Sequence, residues 1–127
     1  MKFIKKLKNM YRKSPILIFK KTGLDEWRFP QISRAIEFND DISLSVQGSY
    51  YHYCLPRRTL PYNQYKNLEF ALTKNGRFVS VDAVLSSQPE GDIWCDYFDG
   101  SIYGYVPVEK IEKLYQLLKK EYGLKRK

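Results

Sequence analysis

Apolar residues in this chain follow two periods. Near both ends they recur every three or four positions, and between the ends they alternate with polar ones. Phe3, Ile4, Leu7, Met10 and Tyr11 carry the helical period, so an amphipathic helix is predicted over 2–13 with lysines and arginine on its other side. Ser14-Pro15 ends it, because proline disfavours α conformation in the residue before it. Residues 16–20 read as a short β run, and 22–25 as a turn. Ile36 and Phe38 flank Glu37 up to the turn residues Asn39-Asp40-Asp41, and Ile42, Leu44 and Val46 then alternate with Ser43, Ser45 and Gln47.

Beyond Gly48 two phases stay open. Either alternation continues, placing Tyr50, His52 and Cys54 inward and Tyr51 and Tyr53 outward, or Gly48 marks a bulge that reverses it. Residues 55–64 form a loop with Arg57 and Arg58 between Pro56 and Pro61. Asn75-Gly76 is a strong hairpin signal that pairs Leu72 with Val79 and Phe70 with Val81. A third hairpin turns at Asp99-Gly100, pairing Tyr97 with Ile102, Cys95 with Gly104 and Ile93 with Val106. Its other side then gathers Trp94, Phe98, Tyr103 and Tyr105 around Asp96. Pro107 opens a last helix whose stripe is Val108, Ile111, Leu114, Tyr115, Leu118 and Tyr122, with Gly123 as its stop. The fold class is α+β: one domain, 1–127, with an antiparallel sheet of five or six strands over 16–106. The N-terminal helix and a C-terminal helix at 107–122 pack on one of its faces.

Composition adds aromatic surplus and polarity. Eleven Tyr, seven Phe and two Trp make 16% of the chain, which suits strand packing and binding surfaces alike. The net charge of +8 resides in residues 1–21, which hold eight basic residues and no acid. Residues 78–109 hold six acids and no Lys or Arg, whereas 110–127 hold seven basic against two acidic. Such asymmetry bears on partners and association rates. The longest apolar run, Ile16 to Phe19, is far short of the ~20 residues that span a bilayer. No signal-peptide pattern follows the basic start, so no membrane role is expected and a cytoplasmic location is. Two cysteines, Cys54 and Cys95, fit a reducing compartment and are read as buried thiols on the core side of the sheet.

Candidate chemistry is sparse. His52 is the only histidine, and His52 with Cys54 is at most half a zinc site, so neither metal nor cofactor is expected. No phosphate loop or nucleophile elbow is present, and the chain reads as a non-enzyme. Two surfaces remain. Lys5, Lys6, Lys8, Arg12 and Lys13 form a basic helix face that either grips phosphate or simply keeps the protein solvated. Tyr51, Tyr53, Arg57 and Arg58, joined by Trp94, Tyr103 and Tyr105, have the composition of a partner-binding surface.

The run Tyr51-His52-Tyr53-Cys54-Leu55-Pro56-Arg57-Arg58-Thr59-Leu60, with its flanking strands and the close Gly104-Tyr105-Val106-Pro107-Val108-Glu109, resembles small accessory proteins encoded by bacteriophages and other mobile elements. The resemblance spans about residues 36–122. It implies a context in which proteins of this size bind and inhibit host machinery, anti-CRISPR proteins among them. The leading expectation is an inhibitor that contacts a host protein or a defence nucleoprotein complex. A direct nucleic-acid-binding protein is the alternative, and a small hydrolase around His52 a third.

Overall fold

In a computed structural model, which describes residues 1–10 and 30–125, five strands form one antiparallel sheet. They are β1 (Ile36–Glu37), β2 (Ile42–Gln47), β3 (Asn67–Lys74), β4 (Arg77–Val79) and β5 (Tyr103–Pro107). The eight-residue β3 is the spine: β2 runs along one edge, while the other is shared by β4 at its C-terminal half and β5 at its N-terminal half. The α+β class and the antiparallel sheet are as expected. Among the described residues one α-helix accompanies them, α1 (Val108–Tyr122).

Alternation sets the core. Ile42, Leu44 and Val46 of β2 and Leu68, Phe70 and Leu72 of β3 are essentially without solvent contact. Ser43 and Ser45 point to the other side, where the Ser43 and Thr73 hydroxyls share a hydrogen bond. Helix α1 buries Val108, Ile111, Leu114, Tyr115 and Leu118, and the Tyr115 ring meets Phe38 at 5.9 Å. Gly123 ends the helix at φ 75°, a conformation glycine adopts without steric cost. The turn between β1 and β2 is held by the Asn39 side chain, whose Oδ1 accepts from the amides of Asp41 (2.8 Å) and Ile42 (2.7 Å). Asn75-Gly76 turns β3 into β4 with Leu72 opposite Val79, as the pattern predicts. The expected Phe70–Val81 pair does not form, because β4 ends at Val79 and Val81 enters a 3-10 turn.

Three expectations need correction. First, no N-terminal helix forms over 2–10; the rest of that prediction, and the β run at 16–20, lie outside the described residues. Ile4–Lys6 make one 3-10 turn, and Leu7 is already extended. The chain then pairs with residues 32–34: Arg34 N donates to Lys8 O and Met10 N to Ile32 O, both at 2.8 Å. A helix of about twelve residues is marginal unless packing supports it, and here an isolated bridge between Asn9 and Ser33 takes the backbone instead. Among the described residues of its apolar stripe, Phe3 is fully buried while Ile4 and Leu7 pack partly against the core, and Phe3 N donates to Glu112 Oε1 of α1.

Second, the chain leaves the sheet after Gln47, so residues 50–54 form turns rather than a strand. Third, the Asp99-Gly100 hairpin lacks its first strand: Cys95–Tyr97 make a 3-10 turn, so the expected Cys95–Gly104 and Ile93–Val106 pairs do not form, and the turn itself is shifted by one residue. Asp99 Oδ1 accepts from the amides of Ser101 and Ile102, which makes Asp99 the residue before the turn and pairs Phe98 with Tyr103. Those two amides also hold the Asp99 carboxyl below its usual range.

Candidate functional site

Tyr51, Tyr53, Arg57 and Arg58, expected to contact a partner, are all exposed on the segment after β2, and a hydrogen-bonded turn positions the two tyrosines. The Ser49 hydroxyl accepts from Tyr51 N (3.0 Å) and shares a 2.6 Å bond with His52 Nδ1, while His52 N donates to Ser49 O (3.2 Å). That turn lifts Tyr51 and Tyr53 outward, 55% and 44% exposed. Cys54 folds back beneath them, fully buried, with its thiol on Ser49 O at 3.2 Å.

Tyr53 is fixed on both sides of its peptide unit. Its N–H donates to Glu69 Oε2 (3.0 Å), and its carbonyl accepts from Tyr105 N (2.9 Å). Arg57 Nε donates to Tyr50 O at 3.0 Å, and its guanidinium sits 5.7 Å from the centre of the Tyr53 ring. Arg58 is exposed on the same loop. Below the loop, the Tyr65 hydroxyl donates to Arg58 O (2.6 Å) and accepts from Leu60 N (2.8 Å). Gln31 Nε2 adds bonds to Gly48 O (2.8 Å) and Leu60 O (2.6 Å). Burial pushes the Tyr65 phenol up to about 12, so it remains a donor.

Tyr105 belongs to this surface, and a bulge puts it there. Leu68 pairs with Val106 but Phe70 with Tyr103, so β5 carries one residue more than β3 across this stretch. Tyr105 takes the bulge position at φ 54°, where a bulky side chain is strained, and its ring is 40% exposed at 5.8 Å from Tyr53. Gly104 lies directly under Tyr53; a Cβ there would stand 3.1 Å from the Tyr53 Cβ. Tyr53, Tyr105, Tyr97 and Phe98 rim a shallow cavity of about 500 Å³ that also meets Asp96 and Asp99.

Trp94 and Tyr103 do not belong to the surface; both are 1% exposed. The bulge lets Tyr103 and Val106 face inward together, which strict alternation forbids. The Tyr103 ring stacks between Phe70 (4.3 Å) and Phe98 (4.6 Å), and its hydroxyl accepts from Val81 N at 2.9 Å. Trp94 precedes a 3-10 turn at Cys95–Tyr97, so no strand period applies, and its Nε1 donates to Lys110 O at 2.9 Å. The same turn exposes Cys95, against the expectation that both thiols are buried.

Ser49 beside His52 has the makeup of a nucleophile and base. Ser49, however, is wholly buried and its hydroxyl is used by the turn, so no carbonyl of a substrate can reach it. Burial lowers the His52 pKa, and the nearby Glu69 carboxylate opposes that shift. Among the described residues no three His, Cys, Asp or Glu side chains gather as metal ligands, and no helix is long and apolar enough to cross a membrane.

The basic candidates divide. Arg12 and Lys13 lie outside the described residues. Lys5, Lys6 and Lys8 are exposed and line a groove of about 860 Å³ together with Arg34, Glu37 and Lys125. Sequence reading passed over Arg34 and Lys125; the only signal was the basic excess of the C-terminal tail. Gln31 and the bulge at Tyr105 were also missed, and only Gly104 hinted at the latter. Comparison of the chain with protein-family models, with curated proteins and with solved structures finds no match.

Proposed function

We propose that the protein is a non-enzymatic binding module that docks on a protein partner through Tyr51, Tyr53, Arg57 and Tyr105. One observation carries this reading: the exposed tyrosines are held by backbone and side-chain hydrogen bonds before any partner arrives. Pre-ordered tyrosine and arginine lose little conformational freedom on binding, and these residue types dominate interface energetics. The strain at Tyr105 points the same way, because a bulky residue persists at positive φ only when its surroundings impose it. The resemblance to phage accessory proteins supplies the finer form of the proposal: an inhibitor of a host defence nucleoprotein complex, working in the host cytoplasm.

The test is a pull-down from host lysate with and without nuclease, followed by titration of the captured partner with variants. Tyr53→Ala and Arg57→Ala are each expected to weaken binding by about 2 kcal/mol or more, roughly thirtyfold. Tyr105→Asn keeps the backbone position, since Asn tolerates positive φ, and should also weaken binding without loss of fold. If all three variants bind like the wild type, the docking face is misassigned. Loss of the partner on nuclease treatment would mean that nucleic acid bridges the two.

A further inference from the structure

We propose that the groove between the N-terminal segment, β1 and the C-terminal tail is a second binding site, one that holds consecutive backbone phosphates of a nucleic acid. It is independent of the tyrosine face. The cations come from three separate stretches of chain: Lys5, Lys6 and Lys8, then Arg34, then Lys125. Each stretch is fixed by backbone pairing. Arg34 N donates to Lys8 O (2.8 Å), Lys8 N to Ser33 Oγ (3.1 Å), and Lys125 N to Glu37 O (3.0 Å). Gln47 in turn clamps Ser33 through its amide, at 2.8 Å to both N and O. The charges are therefore presented by a rigid frame and brought together by the fold.

Among the described residues, Lys5, Lys6, Lys8 and Arg34 form no ion pair; of the groove's cations Lys125 alone is paired, with Asp40 at 3.1 Å. Four unpaired cations beside one another repel, and an anion relieves that repulsion. The groove favours an extended anion over a compact one. Its lining places Glu37 among the cations, which penalises a single concentrated charge and fits spaced ones. Its apolar part is Ala35, Ile36 and Leu124, with no aromatic side chain among the described residues. That lining offers cations for phosphates and no stacking surface for bases, so the proposed contacts are to phosphates and recognition is independent of sequence.

Lys125 is the adjustable element. Asp40 holds its ammonium and raises its pKa, and both groups are open to water, so a phosphate competes with Asp40 for it. Asp40→Asn should free the lysine without disturbing the turn, because Asn39 supplies the capping oxygen.

The experiment measures binding of duplex and single-stranded oligonucleotides of mixed sequence across a salt series, with inorganic pyrophosphate as competitor. Four phosphate contacts give duplex binding a log–log salt slope of about −3.6 or steeper. Arg34→Gln is expected to weaken all sequences alike and to make that slope shallower by about 1. Asp40→Asn is expected to strengthen binding severalfold, an outcome that general destabilisation does not mimic. Two results would overturn the site: variants that leave the salt slope unchanged, or pyrophosphate displacing the oligonucleotide at matched phosphate concentration. Tyr53→Ala and Arg57→Ala should leave oligonucleotide binding intact. Loss of binding in those two variants instead would place nucleic acid on the tyrosine face and sink this proposal. Failure at the groove would leave the protein-docking reading standing.

Discussion

The ladder of β2, β3 and β4 and the tyrosine face obtain their order in different ways. In the ladder, backbone groups pair with backbone groups, and the apolar side chains of β2 and β3 alternate into a core with almost no exposure. At the tyrosine face, side chains take over the pairing: Ser49, Tyr65, Gln31 and Glu69 satisfy amides and carbonyls that no strand reaches. The first arrangement follows from a two-residue period and tolerates variation in detail. The second depends on single hydrogen-bonding atoms, so it is specific and easily lost. A binding surface built the second way can hold exposed tyrosines in place, which a plain strand could do only with alternation and a neighbour.

The largest effect expected is on the ladder. Phe70 is fully buried and stacked on Tyr103, so Phe70→Ala should cost about 3–5 kcal/mol. That is a large part of the about 5–15 kcal/mol that holds a typical domain. Native-state hydrogen exchange should show the loss across all slow amides together, because the core opens as a unit. Loss confined to β5 would mean that the sheet is two independent pieces.

The tyrosine face should respond locally. Tyr65→Phe removes one hydroxyl and strands the Leu60 amide and the Arg58 carbonyl, a cost of about 1–3 kcal/mol. Amides of residues 58–60 should then exchange faster while those of β2 keep their protection, and binding should fall although Tyr65 itself is buried. Equal loss in both regions would erase the distinction between them.

What the sequence shows follows the same division. Strict alternation made β2 and β3 legible, Asn75-Gly76 set the Leu72–Val79 register, and the helical stripe with Gly123 bounded α1. Tyr51 and Tyr53 point outward as one of the two open phases had them, although the strand expected to carry them is a turn. The burial of Trp94 and Tyr103 was not legible, because a bulge and a 3-10 turn break the period on which sidedness rests. The N-terminal helix failed for another reason. Its pattern is local, whereas the bonds to residues 32–34 that replace it are not, and no local signal announces them.

The smallest effect expected is a pH dependence that passes through His52 and the turn beneath the tyrosines. Burial lowers its pKa below the ordinary 6.5, with the Glu69 carboxylate opposing. The unfolded chain therefore takes up a proton first as the pH falls. Stability contributed by neutral His52 is complete above about 6.5 and is lost as the pH drops from there toward the folded value. His52 is the only histidine, and the Asp99 carboxyl, held low by its two amides, does not titrate until the solution is far more acidic. The window just below 6.5 consequently reports on one side chain. Denaturant midpoints at about pH 7.5 and about pH 5.5 should be lower at the acid end for the wild type, and closer together for His52→Gln. The difference should be modest, since the ring is only half-buried and Glu69 offsets part of the penalty. A midpoint that rises in acid would reverse the sign. It would mean that the attraction of Glu69 for a protonated ring outweighs burial, and that this turn is tightened rather than loosened by a proton.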